Sequence, residues 1–200
     1  MSKSYSNLFY GTIGSPQISL NTFALNSTYI PADNGKLDSY SQKGIDIPER
    51  IVKMLKKLQN KGDYISDSAG SFSMEDISIM SKETGVEFAC VTIDNVAYLI
   101  RGDNRGTVIP SELINLIKEK SGSLDFHSHP HNDDCIPSLS DRTLMGQLEK
   151  ITGQTTSKIV TPNGKTTIFN VNGVIETGIV SNTLDENRKK ALMELFGGVR

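Results

Sequence analysis

The sequence predicts an α+β fold, with a mixed β-sheet flanked by helices in an α/β/α arrangement. Several segments carry apolar residues at helical spacing. Others are short runs of β-branched and aromatic residues bounded by Gly, Asn or Asp turn signals. These segments follow one another as helix, hairpin, helix, strand, helix, hairpin and helix. That order indicates a layered domain built around a mixed sheet.

The composition of the chain indicates which cellular compartment and which kinds of partner to expect. The chain has 200 residues, enough for one domain with a core, and its 21 basic and 23 acidic residues give a net charge of −2. Because lysine and arginine form no clustered tract, we expect no nucleic-acid partner. There is no run of 18 apolar residues and no signal-peptide layout. We therefore expect no membrane contact and a cytoplasmic protein, unless another system exports it.

The first 72 residues divide into two predicted parts. Residues 1–45 have little charge and no sustained apolar period, yet they hold six of the thirteen aromatic residues. We therefore predict an irregular arm that docks on the domain or on a partner. Residues 46–72 are predicted to form an amphipathic helix, from about 47 to 59, followed by a linker. Asp46 is its predicted cap, and its apolar stripe consists of Ile51, Met54, Leu55 and Leu58.

Residues 73–180 carry the clearest element signals. The predicted elements are a helix from Ser73 to just before Gly85, a hairpin of 87–93 and 96–100, a helix over 111–120, a strand over 123–128, a helix over 139–150, and a hairpin of 159–161 and 166–171 that turns into Val174 and Ile175. Residues 181–200 are predicted to form a C-terminal helix, opened by the capping box of Thr183 and Glu186.

All three histidines of the chain fall within five consecutive positions, 127 to 131. They follow an apolar run that we interpret as a strand, and side chains at i and i+2 of a strand face the same side. His127 and His129 can therefore face one ion. Imidazole nitrogens bind zinc well, and a carboxylate as third ligand, for which Asp141 is the candidate, leaves a fourth tetrahedral position open. We interpret His131 as a solvated loop residue.

The segment His127-Ser128-His129-Pro130 is followed by Ser138-x-x-Asp141 and preceded by a glutamate at the head of a strand. This combination resembles the JAB/MPN metalloenzymes known as JAMM proteases. The resemblance covers about residues 75–178. It implies a JAB/MPN-like, cytidine-deaminase-like fold, with residues 73–180 as the catalytic domain.

The resemblance also implies a role for each site residue. One Zn²⁺ ion would be bound by His127, His129 and Asp141, with Ser138 as hydrogen-bond donor to the developing oxyanion and Glu87 as general base. Glu83 competes with Glu87 for the role of base. We prefer Glu87 because it begins a β-rich run, whereas Glu83 lies in a polar stretch.

The implied activity is hydrolysis of a peptide or isopeptide bond in a protein or peptide substrate. Zinc polarises the scissile carbonyl and lowers the pKa of water, and the glutamate shuttles the proton. Two alternatives stay open: a catalytically silent JAMM-like binding module, and a cargo or effector domain of a bacterial mobile element or toxin system. The zinc-deaminase patterns His-x-Glu and Pro-Cys-x-x-Cys are absent from the sequence.

Several of these residues also have a purely structural interpretation. Ser138-x-x-Asp141 is a common pattern at helix N-termini, and Cys90 reads as a small buried hydrophobe. Asp125 is predicted to share a strand face with His127, where it could bond to a ligand. The loop over 131–137 has seven residues, one more than the common form of the motif. We expect this extra residue to affect the loop's shape and its substrate contacts more than the zinc site.

Overall fold

The structure, a computed structural model, describes residues 47–180. Within this range the elements are, in chain order, α1 (Glu49–Lys57), β1 (Tyr64–Ser68), α2 (Met74–Thr84), β2 (Phe88–Ile93), β3 (Val96–Arg101), α3 (Ser111–Lys120), β4 (Ser123–Ser128), α4 (Leu139–Thr152), β5 (Ser157–Val160), β6 (Lys165–Asn170) and β7 (Gly173–Ile179). The predicted arm over 1–45, the cap Asp46 and the C-terminal helix over 181–200 lie outside the described residues. The predicted boundary at residue 73, between the helix with its linker and the catalytic domain, stays a prediction.

The seven described strands form one sheet in the order β1-β3-β2-β4-β5-β6-β7. β4 and β5 run parallel, and every other neighbouring pair is antiparallel. The predicted α+β class, a mixed sheet flanked by helices, is therefore confirmed. Because β4 and β5 are parallel, their ends at Ser128 and Val160 lie at the same edge of the sheet, where β6 begins and β7 ends.

Helices cover both faces of the sheet. On one face α3 and α4 contribute to a first core, whose helical members are Leu113, Ile114, Ile117, Leu144, Met145 and Leu148. On the other face α1 and α2 contribute to a second core, whose helical members are Ile51, Met54, Leu55, Ile77, Ile79 and Met80. Strand residues alternate between the two cores, as Ala89 in the first and Cys90 in the second show. The result is an α/β/α sandwich.

Local signals place the elements that lead into the candidate site. Ser73 and Asp76 form a reciprocal capping box at the start of α2, and Gly85 ends the helix with φ 67°. In the β2–β3 turn, Asp94 and Asn95 have φ of 52° and 64°, the left-handed conformation that a two-residue hairpin turn requires. Glu87 lies between α2 and β2, one residue before the strand.

The first helix differs from its prediction at its start. It begins at Glu49 rather than near residue 47, and Pro48 occupies the N-cap position with extended backbone and no side-chain cap. Proline has no N–H to leave unsatisfied there, so the helix starts immediately after it. The predicted apolar stripe of α1 is buried, as is Leu58 just beyond the helix.

A strand that the sequence did not predict lies at one edge of the sheet. Residues 64–68, expected to belong to a linker, pair with β3 from Tyr64 opposite Ile100 to Ser68 opposite Val96. Most side chains of this strand are exposed, so its sequence shows no alternation of apolar and polar residues. Backbone hydrogen bonds to the β2–β3 hairpin and the ring contact of Tyr64 with Tyr98, 6.0 Å between centroids, hold it in place.

Both cysteines are free thiols. Cys90 is buried in the second core, which confirms its interpretation as a small hydrophobe, and Cys135 is half-buried. Among the described residues, no helix combines the length and the apolar character that crossing a membrane demands.

Candidate metal centre

The end of β4 aligns the two candidate histidine ligands. His127 lies in the strand, opposite Ala89 of β2. The backbone N–H of His129 donates to the carbonyl of Val160 at 3.0 Å, which prolongs the β4–β5 ladder by one residue. His127 and His129 therefore keep the i, i+2 relation of a strand, and their ring centroids lie 5.0 Å apart.

Asp141, in the first turn of α4, completes the group. His127 Nε2 and His129 Nε2 lie 3.2 Å apart. The distance from His127 Nε2 to Asp141 Oδ1 is 3.4 Å, and that from His129 Nε2 to Asp141 Oδ2 is also 3.4 Å. Three ligands at about 2.0–2.1 Å from a tetrahedral zinc ion stand about 3.3–3.4 Å from one another. The two distances to Asp141 end on different carboxylate oxygens. One ligand atom from each of the three buried side chains lies within 4.8 Å of the other two, which is close enough for the group to hold one metal ion.

The structural interpretation of Ser138 and Asp141 as a helix N-terminus is confirmed. Ser138 is the N-cap of α4: its Oγ accepts a hydrogen bond from the backbone N–H of Asp141 at 3.2 Å. In return, Asp141 Oδ2 accepts one from the backbone N–H of Ser138 at 2.6 Å. Oδ1 of Asp141 is buried and accepts no hydrogen bond from a described residue. The capping box thus orients the carboxylate and leaves one oxygen for a cation.

Asp134 fixes the ring orientation of His129. Nδ1 of His129 lies 2.8 Å from the backbone oxygen of Asp134 and 3.5 Å from its Oδ1. A carbonyl oxygen only accepts, so Nδ1 carries the proton, and in the neutral ring Nε2 has a free lone pair directed at the centre. The sequence did not single out Asp134, because nothing distinguishes it from its neighbour Asp133.

The three buried groups shift one another's pKa values. Burial lowers the pKa of His127. Burial would also lower the pKa of His129, but hydrogen bonds to Asp134 and Asp141 and the charge of Glu87 outweigh it and raise that pKa well above its usual value. Burial would raise the pKa of Asp141, yet its attraction to the two histidines lowers it far below the usual range. A proton on His129 and a metal ion are thus alternative ways to balance the buried negative charge.

Glu87 is fully buried next to this group. Ala89 pairs with His127 in the antiparallel β2–β4 ladder, so the same register places Glu87 opposite His129. The negative charge of Glu87 contributes to the raised pKa of His129. Glu83, the competing candidate, lies in α2 and is partly exposed. The structure therefore places Glu87, and not Glu83, directly before β2 and next to the histidines.

Two further residues support the site without carrying a sequence signal. Ser128, between the two histidines, accepts a hydrogen bond through its Oγ from the backbone N–H of Phe88 at 2.9 Å, which ties the start of β2 to the end of β4. The ring of Phe169 in β6 packs edge-on against His127, with centroids 5.8 Å apart and planes at 85°. In the sequence, neither residue differs from an ordinary strand residue.

The loop over 131–137 is attached to β6. Cys135 Sγ lies 2.9 Å from Thr167 Oγ1, and Asp133 Oδ1 lies 3.6 Å from Lys165 Nζ. His131 is half-buried with its Nε2 shielded from water, so its interpretation as a solvated residue is wrong. The loop therefore folds over the start of β6 instead of extending into solvent.

Asp125 does not share the face of His127 as predicted. The β2–β4 register shifts between Cys90 and Val91, which pair with Phe126 and Leu124 and leave Asp125 as the extra residue. This bulge turns its carboxylate toward the Cys90 side of the sheet, where it accepts a hydrogen bond from Ser123 Oγ at 2.8 Å. Asp125 is therefore separated from the metal centre by the sheet.

Fold and site together define a three-layer α/β/α domain with a buried His-His-Asp group that could bind a metal ion. Two imidazole nitrogens and one carboxylate oxygen form a donor set that suits zinc and other first-row metals. No family model, no curated protein and no solved structure matches this chain.

Proposed function

We propose that this protein is a zinc-dependent hydrolase of peptide or isopeptide bonds, of the JAMM type suggested by its motif. The observation that carries the proposal is a group of three buried side chains, His127, His129 and Asp141, whose ligand atoms lie within 4.8 Å of one another, with the buried Glu87 next to them. The order of Glu87, His127, His129, Ser138 and Asp141 along the chain supports it, because this is the order of the motif that the sequence resembles.

The protein's own residues have separate roles in this reaction. His127, His129 and Asp141 hold the ion. When bound, zinc supplies Lewis acidity that polarises the scissile carbonyl and makes water nucleophilic near neutral pH. Glu87 accepts a proton from the attacking water and passes it to the leaving amine nitrogen as the carbon–nitrogen bond breaks. Such a proton shuttle typically contributes about 10²- to 10⁴-fold to the rate.

Ser138 is arranged to serve the oxyanion. Its Oγ already accepts a hydrogen bond from the backbone N–H of Asp141, so the hydroxyl proton is free to point elsewhere. The residue is partly exposed, whereas the ligands are buried, so a substrate oxygen can reach it. Losing one oxyanion donor typically reduces turnover about 10²- to 10³-fold.

The test combines metal analysis with a cleavage screen of linear and isopeptide-linked peptides. We expect one zinc per chain, and cleavage that Glu87→Gln abolishes while zinc content stays the same. Glu83→Gln is the matched control, since it makes the same chemical change four residues earlier on α2, and it should cleave like the wild type. Equal cleavage by the Glu87→Gln and wild-type proteins would remove Glu87 from the reaction.

A different outcome would identify a binding module. If wild type and Glu87→Gln both hold zinc and bind the same peptides but neither cleaves any, the site is not hydrolytic. If neither holds zinc after chelation and reloading, the metal proposal itself is wrong.

A further inference from the structure

The most exposed aliphatic side chains of the described region lie around the loop that covers the metal centre. Ile136 and Leu139 are 69% and 73% exposed, and Ser138 lies between them in the chain. Ile179, 79% exposed, pairs in the β6–β7 ladder with Lys165, whose Nζ approaches Asp133 of the same loop. Single exposed aliphatic residues are ordinary, but Ile136 and Leu139 flank Ser138, the proposed oxyanion donor, in the chain, and this position makes them candidates for contact with the substrate.

Core packing does not explain why Ile136 and Leu139 are aliphatic. The buried face of α4 consists of Asp141, Leu144, Met145 and Leu148. Leu139 lies off that face, one helical turn before Thr143, which is also exposed and whose hydroxyl donates to the Leu139 carbonyl at 2.8 Å. Ile136 precedes the buried Pro137, so the loop turns inward only after it. Both side chains are in contact with water.

We propose that Ile136 and Leu139 form an apolar lip that binds an uncharged aliphatic side chain of the substrate, on the acyl side of the scissile bond. This inference rests on the proposed function, in which Ser138 donates a hydrogen bond to the oxygen of the scissile carbonyl. That carbonyl belongs to the acyl-side residue. The side chain of this residue is therefore the part of the substrate closest to Ile136 and Leu139.

Charge near the lip narrows the substrate class. Asp133 is 98% exposed, and Asp134 is partly exposed. Lys165 Nζ lies 3.6 Å from Asp133 Oδ1 and offsets part of this charge, so an aspartate or glutamate in the substrate would be disfavoured mainly because it loses the apolar contact. We therefore expect leucine, isoleucine, valine or methionine at this position, and discrimination against acidic residues.

The first experiment uses a mixture of tryptic peptides from an unrelated protein as the probe. Zinc-loaded wild-type protein is added, and the cleavage sites are read by mass spectrometry. The expected result is enrichment of aliphatic residues directly before the scissile bond. A synthetic peptide pair that differs only in Leu or Asp at that position then gives kcat/KM for each.

Substitutions at Ile136 and Leu139 test whether these two residues select the substrate side chain. Ile136→Ser and Leu139→Ser should each lower kcat/KM for the Leu peptide by about 10- to 100-fold, the usual effect of losing apolar contact in a specificity pocket. Zinc content and kcat/KM for the Asp peptide should stay unchanged. Ile175→Ser is the matched control, because Ile175 is 53% exposed and lies near the opposite end of β7, and it should behave like the wild type.

The outcomes separate the lip from the hydrolytic function. If cleavage shows no side-chain preference, or if Ile175→Ser loses as much kcat/KM as the lip variants, the lip proposal is wrong and the proposed function is unaffected. Fluorescence anisotropy measures binding of the Leu peptide to Glu87→Gln, with and without each lip substitution. If both lip substitutions abolish this binding, aliphatic selection is supported even when the wild type cleaves no peptide. Failure of the wild type to cleave contradicts only the hydrolytic function. Absence of both cleavage and binding overturns the lip and the proposed function together.

Discussion

At the residue scale, His129 connects the metal centre to its surroundings. Its backbone N–H bonds to Val160 of β5, its Nδ1 to the backbone oxygen of Asp134, and its Nε2 faces His127 and Asp141. Partners of the second ring nitrogen fix the tautomer and orientation of a histidine ligand. The loop after His129 is therefore part of the metal centre as well as the place where we expect substrate contact.

We predict that Asp134→Ala weakens zinc binding by about 10-fold. The variant keeps the backbone oxygen that accepts from His129 but loses the carboxylate 3.5 Å from Nδ1. Competition with a chromophoric chelator measures the change. Asp133→Ala, one residue earlier and almost fully exposed, is the control and should bind zinc like the wild type. Equal affinities for all three proteins would show that the Asp134 carboxylate does not support His129.

A second residue-scale prediction concerns Cys90. Burial and the nearby Asp125 raise the pKa of its thiol to about 12. At pH 8 about one thiol in 10⁴ would then be ionised, and only the thiolate reacts with iodoacetamide. In a Cys135→Ser background, we expect the folded protein to resist alkylation at pH 8 for hours, and the protein unfolded in guanidinium to react within minutes. Rapid alkylation of the folded protein would contradict the burial of Cys90.

At the element scale, the connection after β3 holds Glu87 in place. The backbone N–H of Glu87 donates to the carbonyl of Asp103 at 3.0 Å, and the N–H of Gly102 donates to the carbonyl of Glu87 at 2.8 Å. Gly102 has no room for a side chain: a Cβ there would lie 2.4 Å from the backbone oxygen of Gly106. The glycine therefore keeps the segment over 101–106 close enough to bond to Glu87.

We predict that Gly102→Ala lowers kcat by about 10²-fold while zinc content and KM change little. The displaced segment would move Glu87 by a fraction of an ångström to an ångström, and misplacement on that scale can cost about 10²-fold. The candidate metal ligands lie on β4, directly after β4 and on α4, and not on this segment. The control is Gly146→Ala, whose Cβ would meet only Val171 at an ordinary 3.6 Å. A loss of zinc in Gly102→Ala would show that the glycine serves the fold as a whole.

Local chemistry explains which elements the sequence could predict. α2 has a capping box and a terminal glycine, and the β2–β3 turn has the residues that adopt positive φ, so both were predictable. β1 was not, because its exposed side chains carry no pattern and its partner is β3. The motif identified the three side chains of the candidate metal centre. The bond from His129 to Asp134 depends instead on how the loop closes, which no local pattern encodes.

At the scale of the whole molecule, the centre joins parts that are distant in sequence. Glu87 comes from the residue before β2, His127 from β4 and Asp141 from α4, and only the folded sheet brings them together. A metal ion that binds this arrangement and not the unfolded chain stabilises the fold by mass action. Metal binding and stability are therefore linked.

We predict that zinc raises the melting temperature of chelator-treated protein. At free zinc about 100 times the dissociation constant, the gain is about 2.7 kcal/mol, or about 5–10 °C for a chain of this size. Differential scanning calorimetry measures it. His127→Ala should melt at the same temperature with and without zinc. An equal rise in wild type and variant would indicate binding elsewhere on the protein.

X-ray absorption at the zinc edge tests the central claim most directly, because it reports the atoms bound to the ion. For protein loaded with one equivalent of zinc, the account predicts a first shell of nitrogen and oxygen at about 2.0–2.1 Å, with the multiple-scattering pattern of two imidazoles and no sulfur. That pattern should disappear in His127→Ala. A sulfur shell at about 2.3 Å, which would place a cysteine such as Cys135 on the ion, or an unchanged spectrum in the variant, would contradict a centre made of His127, His129 and Asp141.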